Sequence, residues 1–289
     1  MLQLTIQNFS LQHTLASGQT FCWKKTGSTT GSHDIWKGYI YDIPCLARQA
    51  GNILTLESDF ELHEELIRRY FNLNPEWQKV LDSLPDEPWL NKARRDVDGL
   101  RCLREPWWEC TANFICSSLK QIPQIEQINQ NLRRTFGEPI TGCDAFRFPT
   151  AQKLASVTEA ELRACKLGFR ARHLSRAAKQ IAAGTFCWED LATLPIEEAS
   201  QQMQSLSGVG EKVAHCILLY AGNRFEAFPV DVWVLRLMHE LYFPKRRKAH
   251  KTSILHKKSI QLFGPHRGIA QQYLFHWYRT KEAQEKAKS

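Results

Sequence analysis

Lys212 and Asp231 stand nineteen positions apart in the 289-residue chain, and their surroundings define what they could do. Lys212 lies within Leu206-Ser207-Gly208-Val209-Gly210-Glu211-Lys212-Val213-Ala214, and Asp231 closes Phe228-Pro229-Val230-Asp231 after an apolar run to Tyr220. Gly208 and Gly210, on either side of Val209, permit a tight turn with backbone close to a partner. A helix opening just after them points unpaired N–H groups outward, and such an end binds phosphate. Lys212 falls in its first turn, where the positive end of the dipole disfavours a second positive charge. Asp231 follows Pro229 at the predicted start of a helix running to Leu241. A lysine able to lose its proton beside a fixed carboxylate, next to a phosphate-binding hairpin, suggests amine chemistry on nucleic acid. Each residue also has a plainer reading. Lys212 could contact phosphate in a passive hairpin, and Asp231 could simply cap its helix.

The elements that must hold this pair divide the chain in two. Short alternating segments predict strands at Leu2–Ile6, Phe21–Lys24, Ile35–Ile40 and Ile53–Leu56, with Gly27–Ser32 as a hairpin loop. A helix follows over Phe60–Tyr70. From Leu100 apolar residues recur at three- and four-residue spacing, predicting helices over 105–117, 122–136, 158–165, 170–183, 196–203, 252–263 and from about His266. The polar tail after Tyr278 is expected to fray. The fold expected is therefore α+β. An N-terminal antiparallel sheet subdomain with flanking helices, residues 1–98, precedes a mostly helical core, residues 99–289, with a helix-hairpin-helix near 200–222.

Charge supports a polyanionic partner. The net charge of +8 is uneven: residues 1–98 hold 10 Lys/Arg against 13 Asp/Glu, and the rest hold 28 against 17. The excess sits on the half carrying the hairpin, as a nucleic-acid-binding face requires. No stretch approaches the roughly 20 apolar residues of a membrane span, and no signal pattern opens the chain. Nine scattered cysteines without a C-x-x-C pair argue for reduced thiols and against secretion. A cytoplasmic or nucleoid location is expected in a bacterium and a nuclear one in a eukaryote. No His/Cys set has zinc spacing, so no metal ligand is assigned. The run Lys245-Arg246-Arg247-Lys248, followed by Lys251, Lys257 and Lys258, is a candidate for backbone binding or a solvated loop.

The strings around Lys212 and Asp231 resemble the helix-hairpin-helix Gly/Pro-Asp family of DNA base-excision glycosylases, in the branch that excises 8-oxoguanine. Further matches occur in order: Ser17-Gly18-Gln19-Thr20-Phe21, Phe114-Ile115-Cys116-Ser117-Ser118, Leu167-Gly168-Phe169-Arg170-Ala171-Arg172, and Gly264-Pro265-His266 through Gln271 and Phe275. The resemblance implies a bifunctional glycosylase and abasic-site lyase. A neutral Lys212 attacks C1′ of the sugar, the Schiff base formed permits strand elimination, and Asp231 stabilises the developing positive charge. It implies base recognition by Gly18, Cys216, Gln271 and Phe275. The lesion carries a proton on N7 where guanine has a lone pair, and the Gly18 carbonyl matches the family's acceptor for it. Phe169 matches the wedge that replaces the flipped base and Arg170 the group facing the opposite base. Gly208, Val209 and Gly210 form the phosphate-binding hairpin.

The same resemblance implies double-stranded DNA containing oxidised guanine as partner, a monomer, and no required cofactor. Relatives of the endonuclease III type carry a four-cysteine iron–sulfur loop after the aspartate, but no cysteine here follows Cys216. A structural monovalent cation at the hairpin is compatible with the pattern. Two departures stand out. Leu119, Lys120 and Gln121, with Gln124, occupy positions where the eukaryotic enzymes place asparagines and an arginine that help read the opposite cytosine. Leucine offers no hydrogen-bonding group, so a relaxed opposite-base preference is expected. Trp233 stands where histidine is usual. Two rival classes remain: a monofunctional alkylated-base glycosylase using water, which generally lacks the lysine, and a non-catalytic DNA-binding module.

Overall fold

The computed structural model describes residues 1–28, 34–244 and 251–288. Five strands, β1 (Leu2–Thr5), β2 (Lys24–Ser28), β3 (Asp34–Ile40), β4 (Ile43–Ala50) and β5 (Ile53–Glu57), form one antiparallel sheet in the order β1-β5-β4-β3-β2. Burial alternates along it as strand geometry demands: Trp36 and Ile40 on β3 and Cys45 and Ala47 on β4 face inward. Helix α1 (Leu11–Leu15) and helix α2 (Glu64–Tyr70) supply Leu11, Leu15, Ile67 and Tyr70 to the same small core.

One expected strand and the expected loop after it need correction. Phe21–Lys24 is not a strand; β2 begins at Lys24 and includes Gly27 and Ser28. Phe21 packs edge-on against Phe114 in the helical core, whereas Trp23 belongs to the sheet core and covers Gly38, where a Cβ would overlap its indole. The segment thus bridges two cores instead of alternating across one sheet. The remainder of the expected 27–32 loop, residues 29–32, lies outside the described residues. Strand β4 gave little sequence signal because its buried residues, Cys45 and Ala47, are small.

The helical part comprises α3 (Glu76–Asp82), α4 (Pro88–Asp96), α5 (Trp107–Cys116), α6 (Ile122–Phe136), α7 (Ala151–Ala155), α8 (Glu159–Leu162), α9 (Ala171–Ala182), α10 (Ile196–Gln204), α11 (Glu211–Tyr220), α12 (Val232–Tyr242), α13 (Thr252–Phe263) and α14 (Arg267–Lys288). Every residue of α5 from Glu109 to Cys116 is buried, which makes it the central rod. Residues 76–97, although early in the chain, pack into this second core through Trp77, Leu81, Leu90 and Val97. The expected helix over 158–165 instead ends at Leu162. A one-turn π segment follows, Arg163–Leu167, with Lys166 at φ +69°, and delivers the chain into Gly168–Arg170. The tail does not fray after Tyr278: α14 continues to Lys288, with Glu282 paired to Arg236 at 3.3 Å and Lys281 to Glu285 at 3.7 Å. Among the described residues no helix is long and apolar enough to cross a membrane. The run 245–248 lies outside the described residues.

Polar contacts lock sheet to helices. The Trp23 indole donates to the Tyr70 hydroxyl at 2.9 Å, and that hydroxyl donates to Glu105 at 2.7 Å. Arg133 of α6 grips both Glu109 oxygens of α5, at 2.6 and 2.8 Å, while its guanidinium carbon lies 3.9 Å from the Tyr39 ring centroid.

Candidate active site

Helices α10 and α11 and the turn between them build the hairpin. Gly208 has φ +85°, and a Cβ there would lie 2.7 Å from His173 Cβ of α9, so conformation and packing both demand glycine. Gly210 caps α11 in an extended conformation, and a Cβ there would meet no atom within 4 Å, leaving the helix N-terminus open to a partner. The Val209 amide donates to Leu206 O at 3.1 Å, closing the turn.

Lys212 is the second residue of α11 and half-buried. Its Nζ lies 5.2 Å from the Phe114 ring centroid, and its positive charge acts on the Cys216 thiol one turn on. Burial pushes the Cys216 thiol up to about 11, while Lys212 and Asp231 act on it with opposite signs. The thiol is therefore a neutral, apolar wall within electrostatic reach of both. Asp231 caps α12: its Oδ1 accepts from the Val234 amide at 2.8 Å. The Phe228 amide donates to His215 Nδ1 at 3.0 Å, tying the Asp231 loop to α11. The two residues singled out for amine chemistry, one on α11 and one at the start of α12, thus both act on the Cys216 thiol, and a histidine clamp joins their segments.

The turn Ser17–Gln19 is pinned by the Gln19 amide. It donates to Thr14 O and Arg101 O at 2.9 and 2.8 Å and accepts from the Leu103 amide at 2.7 Å. Gly18 has φ +78°, and a Cβ there would sit 3.7 Å from Phe275 and 3.0 Å from an Arg279 nitrogen. Gln271, one turn before Phe275 on α14, is buried, and its Oε1 has no hydrogen-bond partner among the described residues. Gly18, Phe275 and Arg279 therefore adjoin, with Asp231 acting electrostatically on Arg279. Arg279 escaped the sequence reading although its spacing, four residues beyond Phe275, puts both on one helix face.

The loop after α8 holds a different arrangement from that expected. Phe169 is 44% exposed and suited to a wedge. Arg170 is buried; its guanidinium donates to Ser118 O and Leu167 O and lies 4.3 Å from the Phe169 ring centroid. Rather than standing free toward an opposite base, Arg170 binds this loop to the end of α5. Leu119, next to that anchor, is 89% exposed at φ +53°, a strained setting for a leucine. Gln124 is occupied as well, its Oε1 accepting from the Gln121 amide at 3.1 Å to cap α6.

Although no metal set was assigned from the sequence, the fold gathers Glu211, His215 and His256, with candidate ligand atoms within 4.8 Å of one another. His215 Nδ1 already accepts from Phe228, so the neutral ring carries its proton on Nε2 and offers no free lone pair. An open cleft of about 800 Å³ between the sheet and α6, lined by Cys22, Tyr39, Arg133 and Phe146, contains none of the candidate residues.

Residues 1–111 match the 8-oxoguanine DNA glycosylase N-terminal domain, and residues 112–261 match the HhH-GPD superfamily base excision DNA repair proteins. An N-glycosylase/DNA lyase of Arabidopsis thaliana is 30% identical over 95% of this chain and 78% of its own. The chain belongs to the N-glycosylase/DNA lyase family of helix-hairpin-helix base-excision repair proteins. An N-glycosylase/DNA lyase of Saccharomyces cerevisiae is 26% identical over 86% of this chain and 72% of its own. The Clostridium acetobutylicum 8-oxoguanine glycosylase/lyase, solved with duplex DNA carrying cytosine opposite 8-oxoguanine, superposes with a TM-score of 0.84 at 26% identity, covering 98% and 99% of the two chains.

Two buried histidines of this region set a pH dependence of stability. Burial, then positive neighbours, push His215 and His276 down to about 3; the neighbours are His256 and Arg267 for the first, His13 and Arg279 for the second. The folded pKa lies below the unfolded value near 6.5, so the unfolded chain takes up the protons first. Stability is then full above about pH 6.5 and falls toward pH 3, by about 1.4 kcal/mol per pH unit for each ring. Thermal unfolding should lose about 4 kcal/mol between pH 7 and 5 and become less steep in His215→Asn or His276→Gln. A flat profile in the parent chain would show that the rings are solvated.

Proposed function

We propose that the chain is a bifunctional DNA glycosylase and abasic-site lyase that removes 8-oxoguanine from duplex DNA through a Schiff base on Lys212. The observation carrying this is that Lys212 and Asp231 both act on the Cys216 thiol beside an open hairpin, while the positive-φ Gly18 and Phe275 adjoin Arg279, on which Asp231 also acts. The Lys212 amine attacks C1′ as the glycosidic bond breaks. Asp231 stabilises the positive charge developing on the sugar, and the imine then acidifies C2′ for β-elimination. Cys216 and Phe275 supply the two faces that hold the base. The Gly18 carbonyl accepts the N7 proton, and Gln271, with its spare buried acceptor, reads the Watson–Crick edge. The hairpin Gly208–Gly210 holds backbone phosphate, with no cofactor in the reaction. A monovalent cation on the hairpin carbonyls fits this role as a structural element.

Phe169 and Leu119, both exposed and joined through Arg170 and Ser118, fill the gap left by the flipped base. The opposite base is then met by an apolar side chain, by a glutamine engaged in capping and by an arginine engaged with backbone. A bidentate reader is worth about 1–3 kcal/mol of discrimination, so its loss relaxes preference roughly ten- to a hundredfold. Borohydride treatment with duplexes pairing 8-oxoguanine to each of the four bases tests both parts. The expected result is a covalent adduct with all four and excision rates within about tenfold. Base release without an adduct would favour a water-using glycosylase, which shares the fold. A strong preference for cytosine would show that Arg170 leaves Ser118 on binding DNA.

A further inference from the structure

Arg279 lies one helical turn beyond Phe275 on α14, with its guanidinium carbon 5.2 Å from the Phe275 ring centroid. Its Nη1 would sit 3.0 Å from a Cβ on Gly18. The negative charge of Asp231 acts on it across the site. That Nη1 is buried and has no hydrogen-bond partner among the described residues. Arg133, Arg170 and Arg224 spend their guanidinium groups on a carboxylate or on backbone carbonyls, while Arg101 and Arg267 each leave a buried Nε unpaired. Of the described arginines with an unpaired buried nitrogen, Arg279 is the one that adjoins Gly18 and Phe275. A buried donor without a partner is unfavourable, and is tolerated where a ligand completes it.

What could complete it follows from the chemistry at Gly18. A guanidinium only donates, so its partner must be an acceptor. An oxidised guanine whose N7–H points at the Gly18 carbonyl presents two acceptors beside that N–H, the oxygens on C6 and C8. We propose that Arg279 is a specificity-determining residue of the base pocket, its Nη1 donating a hydrogen bond to a carbonyl oxygen flanking N7 of the flipped lesion. The proposal rests on the placement of the base between Cys216 and Phe275 given above. Gly18 and Arg279 then form an acceptor–donor pair that reads the five-membered-ring side of the lesion, while Gln271 reads the other edge. The guanidinium, 5.2 Å from the Phe275 ring centroid, offers a planar donor fork that lysine could not reproduce.

The test separates base excision from strand cleavage at a preformed abasic site, where the pocket holds no base. Arg279→Leu should slow single-turnover excision of 8-oxoguanine about ten- to a hundredfold. Abasic cleavage should fall by less than about threefold and thermal stability should be retained, as expected when one base contact is lost. Arg279→Lys should recover only part of the excision rate. Binding to Lys212→Gln protein of a duplex carrying 8-oxo-2-aminopurine, which keeps the C8 oxygen and lacks the one on C6, identifies the acceptor. A loss on Arg279→Leu equal to that for 8-oxoguanine assigns C8, and no loss assigns C6. Unchanged excision by Arg279→Leu, while Phe275→Ala abolishes it, overturns the proposal. An equal fall in excision and abasic cleavage also overturns it, because Arg279 would then serve the scaffold or the strand. If Phe275→Ala also excises normally, the placement of the base itself is wrong.

Discussion

Lys212→Gln is expected to bind lesion-containing duplex nearly as tightly as the parent chain, yet to release base at least roughly 10³-fold more slowly and to form no borohydride adduct. Glutamine keeps a polar, hydrogen-bonding side chain beside Cys216 and Phe114 but has no nucleophilic amine. The hairpin backbone, which would hold phosphate, is untouched because Gly208 and Gly210 shape it. Gel-shift affinity, single-turnover excision and adduct formation measured together decide the matter; undiminished trapping would remove Lys212 from the chemistry. Asp231→Asn is the matched control. Asparagine caps helices about as well as aspartate, so the bond to the Val234 amide survives and only the charge is lost. Turnover should drop strongly with little change in melting temperature. Unfolding instead would show that capping was its main task.

Arg133→Met should lower stability by about 3–5 kcal/mol, or roughly 5–10 °C in melting temperature for a chain of this size. Arg133 and Glu109 are both buried, and Asn129 completes the cluster by donating to Glu109 at 2.9 Å and to Asn113 at 3.1 Å. Removing the guanidinium leaves a carboxylate without its counter-charge, and it strips Tyr39 and the Phe146 carbonyl of the partner that joins sheet to helices. The double variant Glu109→Leu with Arg133→Met should recover part of the loss, because replacing both charges removes the uncompensated one. Denaturant or thermal unfolding of the three proteins reads this out. A loss below about 1 kcal/mol in the single variant would mean that water reaches Glu109.

Much of this protein is local in character, and that part could be read along the chain. Helices over Ile122–Phe136 and Thr252–Phe263 fall where the spacing of apolar residues puts them, because a helix buries one stripe whatever lies opposite. The hairpin is likewise a contiguous device, in which two glycines and a helix start act within five residues. Lys212 and Asp231 were identifiable because each sits at a helix beginning, a position with its own sequence signature. Other features depended on contacts between distant segments. Strand β4 became a strand through pairing with β3 and β5, since its buried residues, Cys45 and Ala47, are small and carry little strand signal. Arg170 was expected to face DNA, but the carbonyl of Ser118, fifty-two positions earlier, captures it. Arg279 carries no motif, and its place in the pocket exists only because α14 passes beside the Gly18 turn, 261 positions earlier in the chain. Backbone geometry and hydrophobic spacing are set by neighbours along the chain. The partner of a long charged side chain is set by whatever the fold brings within its reach, and only the tertiary structure determines that.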